Sequence, residues 1–257
     1  MNPGGEVVLL CSDNPASRII FNRLRERFGA VSVVEEEPVG QAALLRRRAA
    51  RLGTGKVLGQ VLFRSLVVPW LTVRDRERVA EIKRRFRLDD QPMKDAHRVR
   101  SMNDDGTRDL LRGMRPAITV VCGTRILNRD TLAALSGPVV NFHAGITPLY
   151  RGVHGGYWAL VEGRRDLVGS TIHLVDPGID TGEIVAQATF EVTGADSFVT
   201  YPYLHVAAAL PSLEDVVRRA VAGEALGGRP LRDDLESRLR THPTLGEYLR
   251  HARAGVR

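Results

Sequence analysis

Two short runs, VVLL at Val7–Leu10 and AITVVC at Ala117–Cys122, contain no charged side chain and no regular alternation of apolar and polar residues. A strand that is apolar on both faces has to be covered on both faces, the situation of a strand inside a parallel sheet layered by helices. Each run is followed by a helical pattern that stops on glycine: Ile20, Leu24 and Phe28 before Gly29, and Asp130–Leu135 before Gly137. A second strand at Ala30–Val34 completes a βαβ opening, a short helix over Thr107–Met114 turns Leu110 and Leu111 inward, and PVVNF from Pro138 adds a further strand. The pattern predicts an α/β, Rossmann-like fold: a mostly parallel sheet with helices on both faces. The 257 residues suffice for one generous domain with an extension. The division expected is an α/β domain over residues 1–205 and a helical C-terminal extension over 206–257. ATFEV, after Gln187, completes a strand, and Ser197–Ala222 reads as helix with turns or kinks at Pro202 and Pro211. The polar, basic residues from Gly227 onward, with a short helical pattern around Tyr248 and Leu249, are expected to be peripheral.

The formal net charge is +7 and the pI is near 10.0. Gln41–Arg100 holds 16 Lys and Arg against 6 Asp and Glu, so the basic character is local. Leu45, Ala49 and Leu52 fit one helix, Leu58, Leu62 and Leu66 a second, and Val79, Ile82 and Phe86 a third, with Pro69 read as punctuation between the last two. This predicts a basic helical insertion over about residues 38–92 whose arginine faces are solvated, as helix outer faces generally are. Its apolar side, VLGQVLFRSLVVPWL, could instead serve a homo-oligomer contact, an interfacial membrane helix or a lid for an acidic substrate. The GTGK at Gly53–Lys56 is not a phosphate loop: no strand precedes it, and Val57 stands where Ser or Thr is needed. No stretch of eighteen consecutive apolar residues occurs, and the N-terminal residues lack a basic, signal-like pattern, so no transmembrane segment and no secretion are expected. Cys11 and Cys122 each end an apolar run without metal-ligand spacing, as buried reduced thiols of a cytoplasmic protein would.

The chemistry concentrates in PVVNFHAGITPLYRGVHGGYWALVEGRRDLVGSTIHLVDPGIDTGEIVAQ, Pro138–Gln187. Asn141 and His143 lie two apart on a strand and share a face where it runs out into a loop, and open α/β sheets bind ligands beyond such strand ends. An alternating strand over GSTIHLV ends at Asp176, and the following loop brings Asp180. A donor amide, an imidazole and a carboxylate together can stabilise an oxyanion and activate a nucleophile. Taken singly, Asn141 and His143 read as strand-end residues satisfying backbone groups, and Asp180 as a turn residue. The loop Cys11–Ser17 precedes a helix N-terminus that could hold an anion. It has no glycine, which excludes a dinucleotide fingerprint, and Asp13 or Asn14 would equally serve as a helix cap.

VVNFHAGITPLYRGVHGGYWALVEG followed by GSTIHLVDPGIDTGEIV resembles the core of the folate-dependent formyltransferases, the family of glycinamide ribonucleotide, methionyl-tRNA and sugar-amine formyltransferases. The family pattern is NxH on a strand, a proline-containing loop ending in glycine, and a later DxG. Here these are Asn141 and His143, Pro148 to Gly152, and Asp180 with Gly182. The resemblance covers roughly Val7–Val192 without the basic insertion. It implies Asn141, His143 and Asp180 as catalytic residues and 10-formyltetrahydrofolate as formyl donor, with no metal. It also implies a pterin pocket using Arg125, Ile126 and Leu127 of GTRIL together with Asp176 and Gly178. Ser12, Asn14 and His154 would then lie toward the second substrate.

That substrate is expected to be the amine of a small molecule: a sugar nucleotide, an amino acid or a specialised metabolite. Methionyl-tRNA formyltransferases carry a further C-terminal β-barrel, whereas the residues after the core here read as helical, so tRNA is not expected. Glycinamide ribonucleotide enzymes hold the substrate phosphate on a glycine-rich first loop, from which CSDNPAS departs. Hydrolysis of 10-formyltetrahydrofolate would use the same three residues. A metal hydrolase built on His143, His154, His173 and Asp180 lacks close-spaced ligands. A basic module for nucleic acid or membrane would explain the arginines but not the order of Asn141, His143 and Asp180.

Overall fold

The computed structural model describes residues 6–231 and 236–257. In chain order the elements are β1 (Val7–Cys11), α1 (Pro15–Phe28), β2 (Val31–Glu36), α2 (Gln41–Leu52), α3 (Thr54–Leu62), α4 (Val68–Arg74), α5 (Arg76–Phe86), β3 (His97–Val99), α6 (Asp105–Met114), β4 (Ile118–Cys122) and α7 (Arg129–Ala134). They continue with β5 (Val139–His143), β6 (Tyr150–Gly152), α8 (Gly155–Val161), β7 (Gly169–Leu174), β8 (Ile184–Thr189), α9 (Tyr201–Val221), β9 (Arg238–Arg240) and α10 (Leu245–Arg253). Seven strands form one sheet in the order β3-β2-β1-β4-β5-β7-β8, parallel from β3 to β5 and antiparallel at β7 and β8. β1 and β4 are buried at every position, as their unbroken apolar character demands. Asn14 caps α1 by accepting from the Ser17 N–H at 3.1 Å, and the helix stops at Gly29, whose φ of +82° suits glycine.

The basic insertion departs from expectation at Pro69. Instead of separating two helices, Pro69 enters the first turn of α4, and α3 runs into α4 through a π turn at Phe63–Val67. A π turn shifts the backbone bonding from i−4 to i−5: the Val68 N–H reaches back to the Phe63 carbonyl, and Pro69 follows as a residue with no N–H to place. Two further boundaries also move. The strand expected through ATFEV ends at Thr189. α9 takes Pro202 in its first turn and carries Pro211 inside, running across residues 205–206, where the sequence suggested a division.

The C-terminal segment is not peripheral. β9 pairs in parallel with β6, matching Tyr150 to Arg238 and Gly152 to Arg240. α10 opens with a capping box in which Thr244 and Glu247 exchange side-chain and backbone bonds. Its Tyr248 enters a second core with Phe63, Leu71, Tyr150, Tyr157, Trp158 and Phe198, separate from the core under the sheet. Phe63 meets Phe198 edge-on at 4.9 Å and Tyr248 at 5.0 Å, so the insertion and the C-terminal helix are joined through one fully buried ring. Phe63→Ala should therefore lower unfolding free energy by about 3–5 kcal/mol in a urea titration. Amide exchange should rise in α10 more than in β1 and β4, which lie in the other core.

Candidate active site

β5 carries Asn141 and His143 to the C-terminal edge of the parallel strands, and the antiparallel register with β7 sets His173 directly opposite Asn141. The His173 Nδ1 is 2.7 Å from the Leu174 carbonyl, an acceptor only, so this nitrogen carries the proton and donates. Its Nε2 is left to accept from the Asn141 amide at 3.1 Å. The same amide nitrogen also donates to Asp180 Oδ1 at 3.4 Å, a long bond. By the same reasoning His143 donates from Nε2 to the Tyr150 carbonyl at 2.7 Å, which turns Nδ1 toward Asp180 Oδ2 at 3.5 Å. The Gly152 N–H donates to that Oδ2 at 2.8 Å.

Two glycines allow this convergence. A Cβ on Gly145 would lie 2.4 Å from the Tyr150 carbonyl oxygen and 2.7 Å from His143 Nε2, so only glycine lets that carbonyl reach the imidazole. A Cβ on Gly182 would lie 1.6 Å from the Leu174 oxygen, so only glycine lets the loop close onto β7. Asp180 itself sits at φ +52°, a conformation that non-glycine residues seldom adopt and that tends to persist where the surroundings over-determine it.

Burial alone would raise the Asp180 pKa, but the groups packed around the carboxylate, the Gly152 N–H among them, outweigh it and hold the carboxyl below its usual value. His143 moves downward because burial disfavours its charged form, an effect only partly offset by the Asp180 carboxylate. The pair therefore rests as an ionised carboxylate facing a neutral imidazole.

A cavity of about 710 Å³ opens over these groups. One wall is the end of β4 and the chain after it, Val121–Leu127, and another is Val175–Asp180. The residues expected for a ligand distribute as follows. Asn14, Arg125, Ile126, Leu127, His154, Asp176 and Gly178 all line this cavity with Asn141, His143 and Asp180. Ser12 is not part of the lining; its hydroxyl donates to the Gly123 carbonyl at 2.8 Å and fastens the wall from behind. The Arg125 guanidinium is tied to the buried Glu36 at 3.0 Å and to the Glu37 carbonyl, which fixes the β4 loop to the end of β2. Asp176 accepts from the Gly178 N–H at 3.1 Å and the Thr181 hydroxyl at 2.7 Å, folding the loop that presents Asp180. His154 makes a ring-to-ring bond to His242 at 2.8 Å, and both are held neutral by burial, His242 down to about 4. Among the described residues, no cluster of three or more His, Cys, Asp or Glu side chains has metal-holding geometry.

His173 was legible as a face residue of its strand, but its bond to Asn141 needs the antiparallel register. His242 gave no signal, since it comes from a polar segment far along the chain. The formyl transferase family model matches residues 70–203, more than half of the chain. The protein belongs to the formyl transferase family. This formyl transferase family member is 32% identical over 145 residues to a methionyl-tRNA formyltransferase of Anaeromyxobacter dehalogenans, covering 54% of the chain and 45% of that relative. It is 35% identical over 111 residues to the phosphoribosylglycinamide formyltransferase of Mycobacterium tuberculosis, covering 43% and 48% respectively. The matched stretch thus spans about half the length of these curated relatives. In fold it is similar to a formyltransferase from Anoxybacillus kamchatkensis solved in complex with UDP-4,6-dideoxy-4-formamido-L-AltNAc and tetrahydrofolate. That likeness has TM-score 0.50 and 14% identity, and covers 92% of this chain and 85% of the other.

The buried histidines make stability pH-dependent with a definite sign. His143, His154, His205 of α9 and His242 have folded pKa values below the unfolded value near 6.5, reaching about 4 for His242 and about 3 for His205. As pH falls below 6.5 the unfolded chain takes up protons that the folded one refuses, so stability decreases. Between pH 6.5 and 4, guanidinium unfolding should show a loss approaching about 1.4 kcal/mol per pH unit for each of His205 and His242. Asp180 adds its own loss only below the carboxylate range, near pH 4 and under.

Proposed function

We propose that this protein transfers the formyl group of 10-formyltetrahydrofolate to the amine of a small molecule, with Asn141, His143 and Asp180 as catalytic residues. The observation that carries this is the convergence of those three side chains, in the family's order along the chain, on the floor of one large cavity. The cavity suits a pterin: apolar side chains of Val121, Ile126, Leu127 and Val175 border it beside the peptide groups of Cys122–Leu127. The tetrahydrofolate and sugar nucleotide in the Anoxybacillus protein support a folate donor and a small acceptor. We assign the activity to the cytoplasm, the compartment in which the buried free thiols Cys11 and Cys122 would stay reduced.

The donor supplies a formyl carbon already at the oxidation level of an acid. Negative charge develops on the formyl oxygen as the amine nitrogen attacks, and the Asn141 amide is the donor aimed at it. Its long bond to Asp180 is the one a formyl oxygen would replace, while the shorter bond to His173 keeps the amide oriented. A preorganised donor of this type is worth about 100- to 1,000-fold in rate. Asp180, held ionised, receives the proton that the amine loses, and His143 Nδ1 faces the same proton. With Nε2 committed to the Tyr150 carbonyl, His143 has only this edge for exchange. The new bond joins amine nitrogen to formyl carbon, the bond from that carbon to the folate nitrogen breaks, and the proton returns to that nitrogen.

Tetrahydrofolate release from 10-formyltetrahydrofolate should be negligible with protein alone and rise when a pool of sugar amines, amino acids and aminated nucleotides is added. Equal release without amine would mean hydrolysis instead. Asp180→Asn should abolish turnover and Asn141→Ala should slow it about 100- to 1,000-fold, each retaining tetrahydrofolate binding by calorimetry. Full activity of Asp180→Asn would remove the carboxylate from the mechanism.

A further inference from the structure

His242 reaches the cavity because three elements clamp the chain around it. Gln60 of α3 donates to the His242 carbonyl at 2.7 Å, the Trp158 indole N–H of α8 donates to the Thr241 carbonyl at 3.0 Å, and the Val153 N–H beyond β6 donates to the Arg240 carbonyl at 3.3 Å. Gly59 comes so close to this segment that a Cβ there would lie 2.8 Å from the Thr244 Cβ. Opposite His242, His154 is held at φ +60°, so that it and Asp180 are the non-glycine residues of the cavity lining in the left-handed region. The two imidazoles share one bond at 2.8 Å, which leaves one outer ring nitrogen protonated and the other bare.

The charge beside this pair is positive. Arg48 of α2 and Arg64, one helical turn past Gln60, both act on His242, and Arg64 acts on His154 as well, with no carboxylate among the described residues offsetting them there. Arg48 is half-buried, and the charges it feels are those of Arg64 and Arg51. The ion pairs of the insertion lie elsewhere, at Arg74, Arg78 and Lys83; among the described residues none includes Arg48, Arg51 or Arg64. A cation drawn out of water is normally paired. Neighbouring cations without a partner, next to imidazoles that open on a cavity, make a place for an anion that the protein does not itself supply. Their summed charge exceeds that of a single carboxylate and suits a phosphate or diphosphate, whose oxygens also fit the guanidinium fork.

The loop before α1, the other place where the fold could hold an anion, is already committed. Ser12 donates to the Gly123 carbonyl, the Asn14 amide donates to the Ser12 carbonyl at 3.0 Å and the Ser17 hydroxyl at 2.8 Å, and Asp13 brings a carboxylate paired with Arg18. Arg48, Arg64 and His242 all fall outside residues 70–203, the stretch that matches the family model, so they belong to what this chain adds to the shared core. We infer that Arg48 and Arg64, with the His154–His242 pair, hold a phosphate or diphosphate group of the amine acceptor at this side of the cavity. That the anion belongs to an acceptor rests on the formyl transfer proposed above, whereas the anion site stands on the side chains alone.

Calorimetry on the full chain should show binding of inorganic pyrophosphate, weaker binding of inorganic phosphate and none of acetate at equal ionic strength. Arg48→Ala and Arg64→Ala should each weaken pyrophosphate binding about tenfold or more, the scale of a charge-assisted hydrogen bond. Arg46→Ala, at an exposed position of the same α2, should leave it unchanged. Tetrahydrofolate affinity should be equal in all four proteins, which shows the fold intact. Phosphatase treatment of the amine pool should abolish the acceptor-dependent release of tetrahydrofolate. Release that survives the phosphatase would keep formyl transfer and overturn a phosphate-bearing acceptor. Absence of pyrophosphate binding would overturn the site, as would an equal loss in Arg46→Ala, which is attraction by net charge alone. A fall in tetrahydrofolate affinity in Arg48→Ala would give the arginines to the carboxylates of the folate and overturn the assignment to the acceptor. Pyrophosphate binding with the expected variant pattern, but no tetrahydrofolate binding, would uphold the anion site and remove the formyl-transfer reading only.

Discussion

The carboxylate of Asp180 is the point on which three separate strands meet. It receives the Gly152 N–H from β6 and the Asn141 amide from β5, and it faces His143 of β5 and His173 of β7. An ionised carboxylate taken this far out of water is tolerated only because hydrogen-bond donors and polarisable rings surround it. The residue's left-handed backbone and the Asp176 turn before it both serve to aim that group inward. Without the carboxylate, His143 would lose the group its Nδ1 faces and the Gly152 N–H would be left without its acceptor.

The surrounding architecture is divided among three buried clusters, one on each face of the sheet and one built on aromatic rings. The core under the sheet sets strand order and therefore delivers Asn141 and His143 to the same edge. The second core, built on aromatic rings, holds the insertion, α8 and the C-terminal helix together and so shapes the side of the cavity that His154 and His242 occupy. Glu36 links the cluster on the other face of the sheet, where Met102 packs with Val8, Leu10 and Val34, to the cavity wall, accepting from the Met102 and Arg125 N–H groups at 2.8 Å each.

The central strands were readable because burial on both faces leaves no freedom in residue choice: β1 and β4 are apolar at nearly every position. Asn141, His143 and Asp180 stood out as an ordered set along the chain, and the fold brings the three side chains to one cavity. Pro69 misled because a proline's effect depends on the ladder around it, and a π turn is a tertiary accommodation with no local signature. The C-terminal segment misled for a related reason. Its composition is that of an exposed tail, and a single tyrosine, Tyr248, together with backbone pairing to β6, anchors it. Backbone bonds carry no compositional trace, so β9 and the approach of His242 were invisible until the chain was folded.

The pairing of β6 with β9 gives the site an order of assembly. Gly152, whose N–H steadies Asp180, belongs to a strand whose only partner among the described residues is Arg238–Arg240. On the ribosome the chain folds from its N-terminal end, so the whole seven-stranded sheet can form while β9 is still unmade. During that interval Asn141 and His143 are already in position, yet the backbone donor opposite them is unsupported. The nascent protein would thus hold a complete sheet and an unfinished cavity until Arg238–Arg240 has followed.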